Sequence, residues 1–288
     1  MKELESPSNT SISESDLALI KKAKQDLEQL GTIMRGFNVL GNKIEDVLRR
    51  IPLKQQEWLQ KQVNKALMLA VKSNLVTMEK GRPFKKPSRT TYKALVTTTG
   101  IASGAFGSTT GLGTTLFTSE LVISTQFMMR SILDIARAQG EDLNSYDTQL
   151  AAMQVFALGG ATYKTEGMEA SYYTSRLALD TALKGAVNFI SRNGIKGASK
   201  LLQSSSNPLL RLMGIIAGRF SIQVSEKFLM QALPIAGALG GGSINFLFIN
   251  HFQTMAQAHF CIRRLERHYG KELVMYTYDS IPLKEKSK

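Results

Sequence analysis

The sequence predicts an all-α protein, a multi-helix bundle whose central helices present glycine faces and pack closely together. Apolar residues recur at helical spacing along most of the chain, and neither alternating strand patterns nor a repeat of fixed period is present. Two segments, 94–119 and 228–250, contain no charged residue, although the chain of 288 residues has a formal net charge of +13. Glycines recur in both segments at intervals that align them on one helical face, where backbones can approach closely. These helix-packing glycines are Gly100, Gly104, Gly107, Gly111, Gly237 and Gly241.

The N-terminal part of the chain begins with a polar segment and continues with two helical patterns. Residues 1–18 are rich in Ser and Glu and lack an apolar run, so we expect a disordered tail and no signal peptide. Residues 16–48 and 55–78 carry apolar side chains at helical spacing, with a break at Pro52. The glycine, proline and lysine content of residues 81–88 predicts a loop.

The middle of the chain predicts a tight helical turn followed by a long helix. Residues 100–113 favour a helix–turn–helix with a close glycine contact. Residues 116–138 predict a clear helix that ends at Gly140. Arg130 and Asp134 lie four residues apart on this helix, so we expect them to pair.

The C-terminal half predicts further helices separated by turns. Helical spacing places these helices at 150–163, 169–190, 209–230 and 234–269. Asn193-Gly194 and Gly197 predict a turn, Gly270 predicts the end of the last helix, and residues 273–281 predict a short β-like tail. The basic residues predicted on the outer face of the third of these helices are Arg211, Arg219 and Lys227. One stripe of the last helix is predicted to be buried, and it comprises Phe248, Phe252, Met255, His259 and Ile262.

Composition bounds the organisation of the chain. The single cysteine, Cys261, excludes a disulfide framework and indicates a reducing compartment. The predicted divisions are a disordered tail at 1–18, an N-terminal helical extension at 19–48, a helical domain at 49–275 and a C-terminal tail at 276–288.

The positive charge is concentrated in one part of the chain. Residues 49–93 contain twelve Lys or Arg and two acidic residues, a net charge of +10. This basic segment directly precedes the first uncharged one, an arrangement that suits an anionic lipid surface at about 1 kcal/mol per basic residue. The predicted lipid-binding residues are Lys80, Arg82, Lys85, Lys86, Arg89 and Lys93. A solvated basic linker is the alternative, and nucleic acid is disfavoured because only Phe84 and Tyr92 lie among these charges.

The first uncharged segment is too polar to favour a lipid-exposed span. Residues 94–119 contain eleven Ser or Thr, which lowers the apolar density below that of a typical transmembrane helix. Insertion in lipid and burial in a protein core therefore both stay open for this segment.

Three polar residues near the uncharged segments are candidates for a site. Glu120 follows twenty-six uncharged residues, so it is expected to be paired or protonated, or else to be a charge at a helix N-terminus. Asn245 continues the glycine face of Gly237 and Gly241 and is expected to hydrogen-bond across a helix contact, with ligand binding as the alternative. His251 lies on the same predicted helix.

The histidines and the cysteine do not form a catalytic or metal-binding motif. On a helix, His251, His259 and His268 point in different directions, so no metal site is predicted. His259 is interpreted as a core histidine. Cys261 has no base within reach on its helix, and no glycine-rich phosphate loop is present, so no cofactor is predicted.

The C-terminal block resembles the signature of one family. Its residues are 232–241, Asn245, His251-Phe252, Ala256, His259-Phe260, Arg264-Leu265-Glu266 and Tyr269-Gly270. This block resembles the C-terminal signature of the EcsC family, and residues 111–140 resemble its central block, except for Gln139 where an aromatic residue is expected. The family takes its name from a bacterial operon that also encodes an ABC transporter. The resemblance spans about residues 50–275 and implies a bacterial protein near the membrane, without catalytic residues to transfer.

These observations favour three classes of function. The first is a non-enzymatic, membrane-associated helical protein, cytoplasmic and peripheral to the inner face of the cell membrane, with integral insertion left open and a transporter or secretion system as a partner. The second is a hydrolase that uses Glu120 with a histidine from 251–259. The third is a soluble interaction module, open to oligomerisation, whose basic face binds an acidic partner.

Overall fold

The structure is a computed structural model that describes residues 11–29, 52–79, 89–105, 111–158, 172–200, 208–232 and 236–282. Within these ranges all regular secondary structure is helical, which confirms the predicted all-α class. The nine helices of the described ranges are α1 (Glu14–Gln29), α2 (Leu53–Glu79), α3 (Arg89–Ala105), α4 (Gly111–Ala138), α5 (Tyr146–Leu158), α6 (Tyr172–Lys200), α7 (Pro208–Ala232), α8 (Ala236–Tyr269) and α9 (Lys271–Ser280).

Helix ends follow local sequence signals at several points. Asp16 donates its backbone N–H to the Ser13 hydroxyl over 3.2 Å, which caps α1. The helix begins at Glu14, so the last residues of the predicted tail at 1–18 are helical. Gly140 and Gly270 end α4 and α8, as predicted, with φ of 79° and 90°, a left-handed conformation that glycine adopts without strain.

Three local predictions are wrong. Asn193-Gly194 and Gly197 do not form a turn, because α6 continues to Lys200; an interior glycine costs a helix only about 1 kcal/mol. Residues 273–280 belong to helix α9 in place of a β-like tail, since Val274 and Tyr278 lie four residues apart and are buried on one helical face.

The third wrong prediction is the pairing of Asp134. Its carboxylate pairs with Arg137 at 2.6 Å, and not with Arg130, whose side chain is exposed. The predicted loop at 81–88 and the second half of the predicted helix 16–48 lie outside the described residues.

Helix α8 is the centre of the bundle. It contacts α1, α3, α4, α5, α7 and α9. All five residues of its predicted stripe are buried, which confirms that prediction. Phe252 from this stripe packs against Phe156 of α5 and Phe220 of α7, with ring centroids 5.2 and 5.5 Å apart.

Helices α3 and α8 run antiparallel. Arg89 donates to Gln257 over 3.0 Å, Lys93 donates to Asn250 over 2.8 Å, and the Asn245 side-chain N–H donates to the Val96 carbonyl over 2.8 Å. The residue number therefore falls along α8 as it rises along α3. Continued along both helices, this register brings Gly100 level with Gly241 and Gly104 level with Gly237.

The uncharged parts of α4 and α7 also meet, and short connections join α3 to α4 and α7 to α8, so these parts lie at the same end of the bundle as those of α3 and α8. The rings of Phe117 and Phe228 are 5.0 Å apart. Tyr92 of α3 packs against Phe127 of α4, with centroids 6.5 Å apart. Uncharged segments of four helices thus converge. We call these described segments, 94–105, 111–119, 228–232 and 236–250, the uncharged pole.

Candidate functional site

The surface of the uncharged pole combines apolar and hydroxyl side chains. Leu95 of α3 and Phe246 of α8 are 39% and 43% exposed. Thr98, Ser119 and Ser243 are exposed as well. Among the helices that the structure describes, none combines the length and the apolar character needed to cross a membrane.

Two of the six predicted lipid-binding residues lie at the edge of this pole. Lys93 is held by its hydrogen bond to Asn250, and its Nζ lies 5.3 Å from the centroid of the Phe246 ring. Arg89, one turn earlier, is exposed and bonds Gln257. The structure therefore places one cation, Lys93, beside an exposed aromatic ring, and a second, Arg89, one helical turn away. The other four, Lys80, Arg82, Lys85 and Lys86, lie outside the described residues.

Most of the predicted glycine faces belong to helices that pack together. Gly100 and Gly104 lie on α3 and Gly237 and Gly241 on α8, at matching levels of the antiparallel pair. Gly111 is the first residue of α4, and Gly107 lies outside the described residues. The predicted hydrogen bond of Asn245 across a helix contact is confirmed by its bond to Val96.

Glu120 forms a buried ion pair inside the pole. Its carboxylate lies 2.5 Å from Nζ of Lys227, and the two side chains are 3% and 0% exposed. Lys227 also lies 4.9 Å from the centroid of the Phe248 ring and 5.9 Å from that of Phe117. The expectation that Glu120 is paired is confirmed. The alternative, a charge at a helix N-terminus, is wrong because α4 begins nine residues earlier, at Gly111.

The prediction that Lys227 lies on the outer face of its helix is also wrong. The periodicity of α7 separates charged from apolar positions, but it cannot show that an acidic residue 107 positions away supplies a partner inside the core. Asn245 faces α3 whereas Glu120 faces α7, so these two candidates do not share one site. His251 is buried, and its ring packs edge-on against the neighbouring Phe252.

A second buried polar cluster lies further along α8, away from the pole. Arg176 of α6 makes two hydrogen bonds to Glu266, at 2.8 and 2.7 Å, and Tyr173 donates a third at 3.0 Å. The Tyr172 hydroxyl lies 2.8 Å from Nδ1 of His259 and accepts from Arg176 over 3.3 Å. The cluster connects α6 to α8. Tyr172 and Arg176 lie one turn apart on the same face of α6. No local sequence pattern marks them as partners of His259 and Glu266.

The protonation of this cluster follows from its geometry. A guanidinium only donates hydrogen bonds, so the Tyr172 hydroxyl accepts from Arg176 and donates its own hydrogen to Nδ1 of His259. The neutral imidazole ring therefore carries its proton on Nε2. Burial, helped by the nearby Arg176 and Arg263 cations, holds the pKa of His259 well below its ordinary value. Burial raises the pKa of Tyr172 to about 12. His259 is thus a neutral core residue, as interpreted from the sequence.

Among the residues that the structure describes, His259 is not bonded to the candidate carboxylate Glu120. His259 hydrogen-bonds Tyr172 through Nδ1, its Nε2 has no hydrogen-bond partner, and it therefore does not bond Glu120. Cys261 is buried, and burial raises the pKa of its thiol. Within the described ranges, no three or more His, Cys, Asp or Glu side chains are grouped to hold a metal ion.

The fold and this surface define a class of protein, an all-α bundle with an uncharged pole bordered by basic residues. The model of the EcsC protein family matches residues 15–265, and the chain belongs to this family. The match begins within α1, a helix that spans the end of the predicted tail and the start of the predicted extension, and it ends within α8. No curated protein and no solved structure matches the chain.

Proposed function

We propose that this EcsC-family chain is a peripheral membrane protein that docks on an anionic lipid surface through the basic edge of the uncharged pole. The observation that carries the proposal is the position of Lys93, held between Asn250 and the exposed Phe246 ring. Aromatic rings suit the membrane–water interface, and cations beside them suit lipid phosphates. The surface that matters is therefore the face shared by α3 and α8.

Charge complementarity supports an anionic partner. The chain has a net charge of +13, and residues 49–93 supply most of that excess. The cytoplasmic leaflet carries the anionic lipids that attract such segments, at about 1 kcal/mol for each basic residue near the surface. We place the chain at the inner face of the cell membrane. A role as an accessory to an ABC transporter or a secretion system belongs to the same proposal and depends on the family resemblance alone.

The docking face can be tested with a matched pair of charge variants. Arg89→Gln/Lys93→Gln is expected to weaken binding to vesicles that contain anionic lipid by about 30-fold, because two basic residues contribute about 2 kcal/mol. The control, Lys184→Gln/Arg192→Gln, removes two charges from exposed positions of α6 and should bind like the parent. Vesicle co-sedimentation measures the affinity, and circular dichroism verifies the helix content of each variant.

Two outcomes would contradict electrostatic docking. One is equal partition onto neutral and anionic vesicles, since the proposed attraction requires anionic headgroups. The other is no binding to either kind of vesicle at low salt, which would favour the soluble module with an acidic partner.

A larger variant, in which Lys80, Arg82, Lys85 and Lys86 are replaced by Gln together with Arg89 and Lys93, is expected to lose most of the binding that remains in the double variant.

A further inference from the structure

We infer that the uncharged pole itself enters the interfacial region of the bilayer, so that docking is followed by shallow insertion. This inference rests on the proposed function and deepens it, because the basic edge would bind lipid phosphates while the pole lies among the headgroups and upper acyl chains. The occupant of this surface is therefore lipid.

The two uncharged segments of the sequence, 94–119 and 228–250, are far apart along the chain. The antiparallel packing of α3 on α8 and the contact of Phe117 with Phe228 bring their described parts to one end of the bundle. Helix ends from four segments without a charged residue thus share one surface.

The exposed side chains of the described part of the pole suit the interfacial region of a bilayer. On α4 the outward positions Thr115, Ser119 and Ile123 lie one turn apart, and none carries a charge. On α8, Ser243 and Phe246 are exposed in the same way. Hydroxyl and aromatic side chains are tolerated at interfacial depth, where water and headgroups still offer hydrogen bonds, whereas this polarity disfavours a full span.

Glu120 and Lys227, two charged residues next to the uncharged segments, do not reach the surface of the pole. Glu120 and Lys227 directly follow and precede uncharged segments, and both are buried and paired with each other. The pole therefore enters lipid without exposing either of these charges. Lys93 instead lies at the surface edge, where phosphates can reach it.

The dimensions fit shallow insertion. From Ala236 to Phe246, ten residues further along, α8 rises about 15 Å. Interfacial elements bury about 5–10 Å into the boundary between headgroups and acyl chains. The outermost turns of the pole can reach this depth while Lys93, near the level of Phe246, stays with the headgroups.

An environment-sensitive fluorophore at the pole tests the insertion. Ser243→Cys and Ser119→Cys place the label on α8 and α4, and Ser280→Cys places it on α9 as the matched control. The parent protein is the blank, because Cys261 is buried. On addition of vesicles with anionic lipid, emission from both pole labels is expected to rise and shift to shorter wavelength. Lipids that carry a quencher on the acyl chain should reduce the emission of both pole labels, and the label at position 280 should not respond.

A charge placed in the pole separates insertion from docking. Ser119→Asp, read through the label at position 243, should still co-sediment with anionic vesicles but lose the emission shift, whereas Ser191→Asp on α6 should keep both. Co-sedimentation of the labelled parent without any shift would overturn insertion and leave docking intact. Absence of both would overturn both proposals. A shift that grows with protein concentration without vesicles would show contact between two copies and would also overturn the inference.

Discussion

Replacement of Glu120 by Gln is expected to lower the free energy of unfolding by about 3–5 kcal/mol, since it leaves the Lys227 charge buried without a counter-charge. Lys227 has no exposed side-chain surface, and its neighbours include the Phe117 and Phe248 rings, which cannot replace a carboxylate. Urea denaturation followed by circular dichroism measures the change. An equally stable Glu120→Gln variant would show that the pair does not hold α4 against α7.

The double variant Glu120→Met/Lys227→Met distinguishes a lost interaction from an unpaired charge. Apolar residues of similar volume often replace a buried ion pair without loss of stability, so this variant should recover most of what the single variant loses. If the double variant were as unstable as Glu120→Gln, the buried charge would not be the cause. Insertion of the pole into lipid should be unchanged in the double variant, because the buried ion pair and the two buried methionines both leave the pole without an exposed charge.

Replacement of Glu266 by Ala is the second change with a large expected effect, a loss of about 3–5 kcal/mol in the free energy of unfolding. Among the described residues, Arg176 would keep as polar partners the Tyr172 hydroxyl and Asp180, whose carboxylate lies 4.0 Å from its Nε. Burial and the Glu266 carboxylate act on the pKa of Arg176 in opposite directions, and the net direction is upward, so the guanidinium stays charged. Thermal and urea denaturation measure the loss.

An exposed ion pair provides the control for this prediction. Lys22 and Asp26 on α1 lie 2.9 Å apart, with side chains 69% and 26% exposed. Lys22→Ala should change the free energy of unfolding by less than about 1 kcal/mol, because water solvates either charge alone. A Glu266→Ala variant no less stable than Lys22→Ala would contradict the role of the buried cluster.

Local patterns in the sequence predict the helices and much of the core. The stripe from Phe248 to Ile262 depends only on helical period, and the ends at Gly140 and Gly270 depend only on the conformation of single residues. Such features need no knowledge of tertiary contacts. The predicted turn at Asn193-Gly194 is wrong because a helix tolerates interior glycines at low cost, and the predicted β-like tail at 273–281 is wrong because Val274 and Tyr278 are buried on one helical face.

The partners of the buried charges could not be predicted from local pattern. Glu120 stands out by its uncharged surroundings, but Lys227 looks like an ordinary outward residue of an amphipathic helix. The partner of Arg176 is likewise distant in sequence, because Glu266 lies ninety residues further along the chain. These pairs are long-range side-chain contacts that form only when the helices are assembled into the bundle. The uncharged pole depends in the same way on antiparallel registers that hydrogen bonds such as that of Asn245 to Val96 reveal.

Fractionation of cells that express the native chain tests the central claim, peripheral association with an anionic membrane, most directly. Membranes are collected at low ionic strength and then washed with about 1 M salt, where the Debye length falls to about 3 Å, and finally with alkaline carbonate. We expect protein in the membrane pellet, partial release by salt and complete release by carbonate. Recovery of the whole chain in the supernatant at low ionic strength would contradict it.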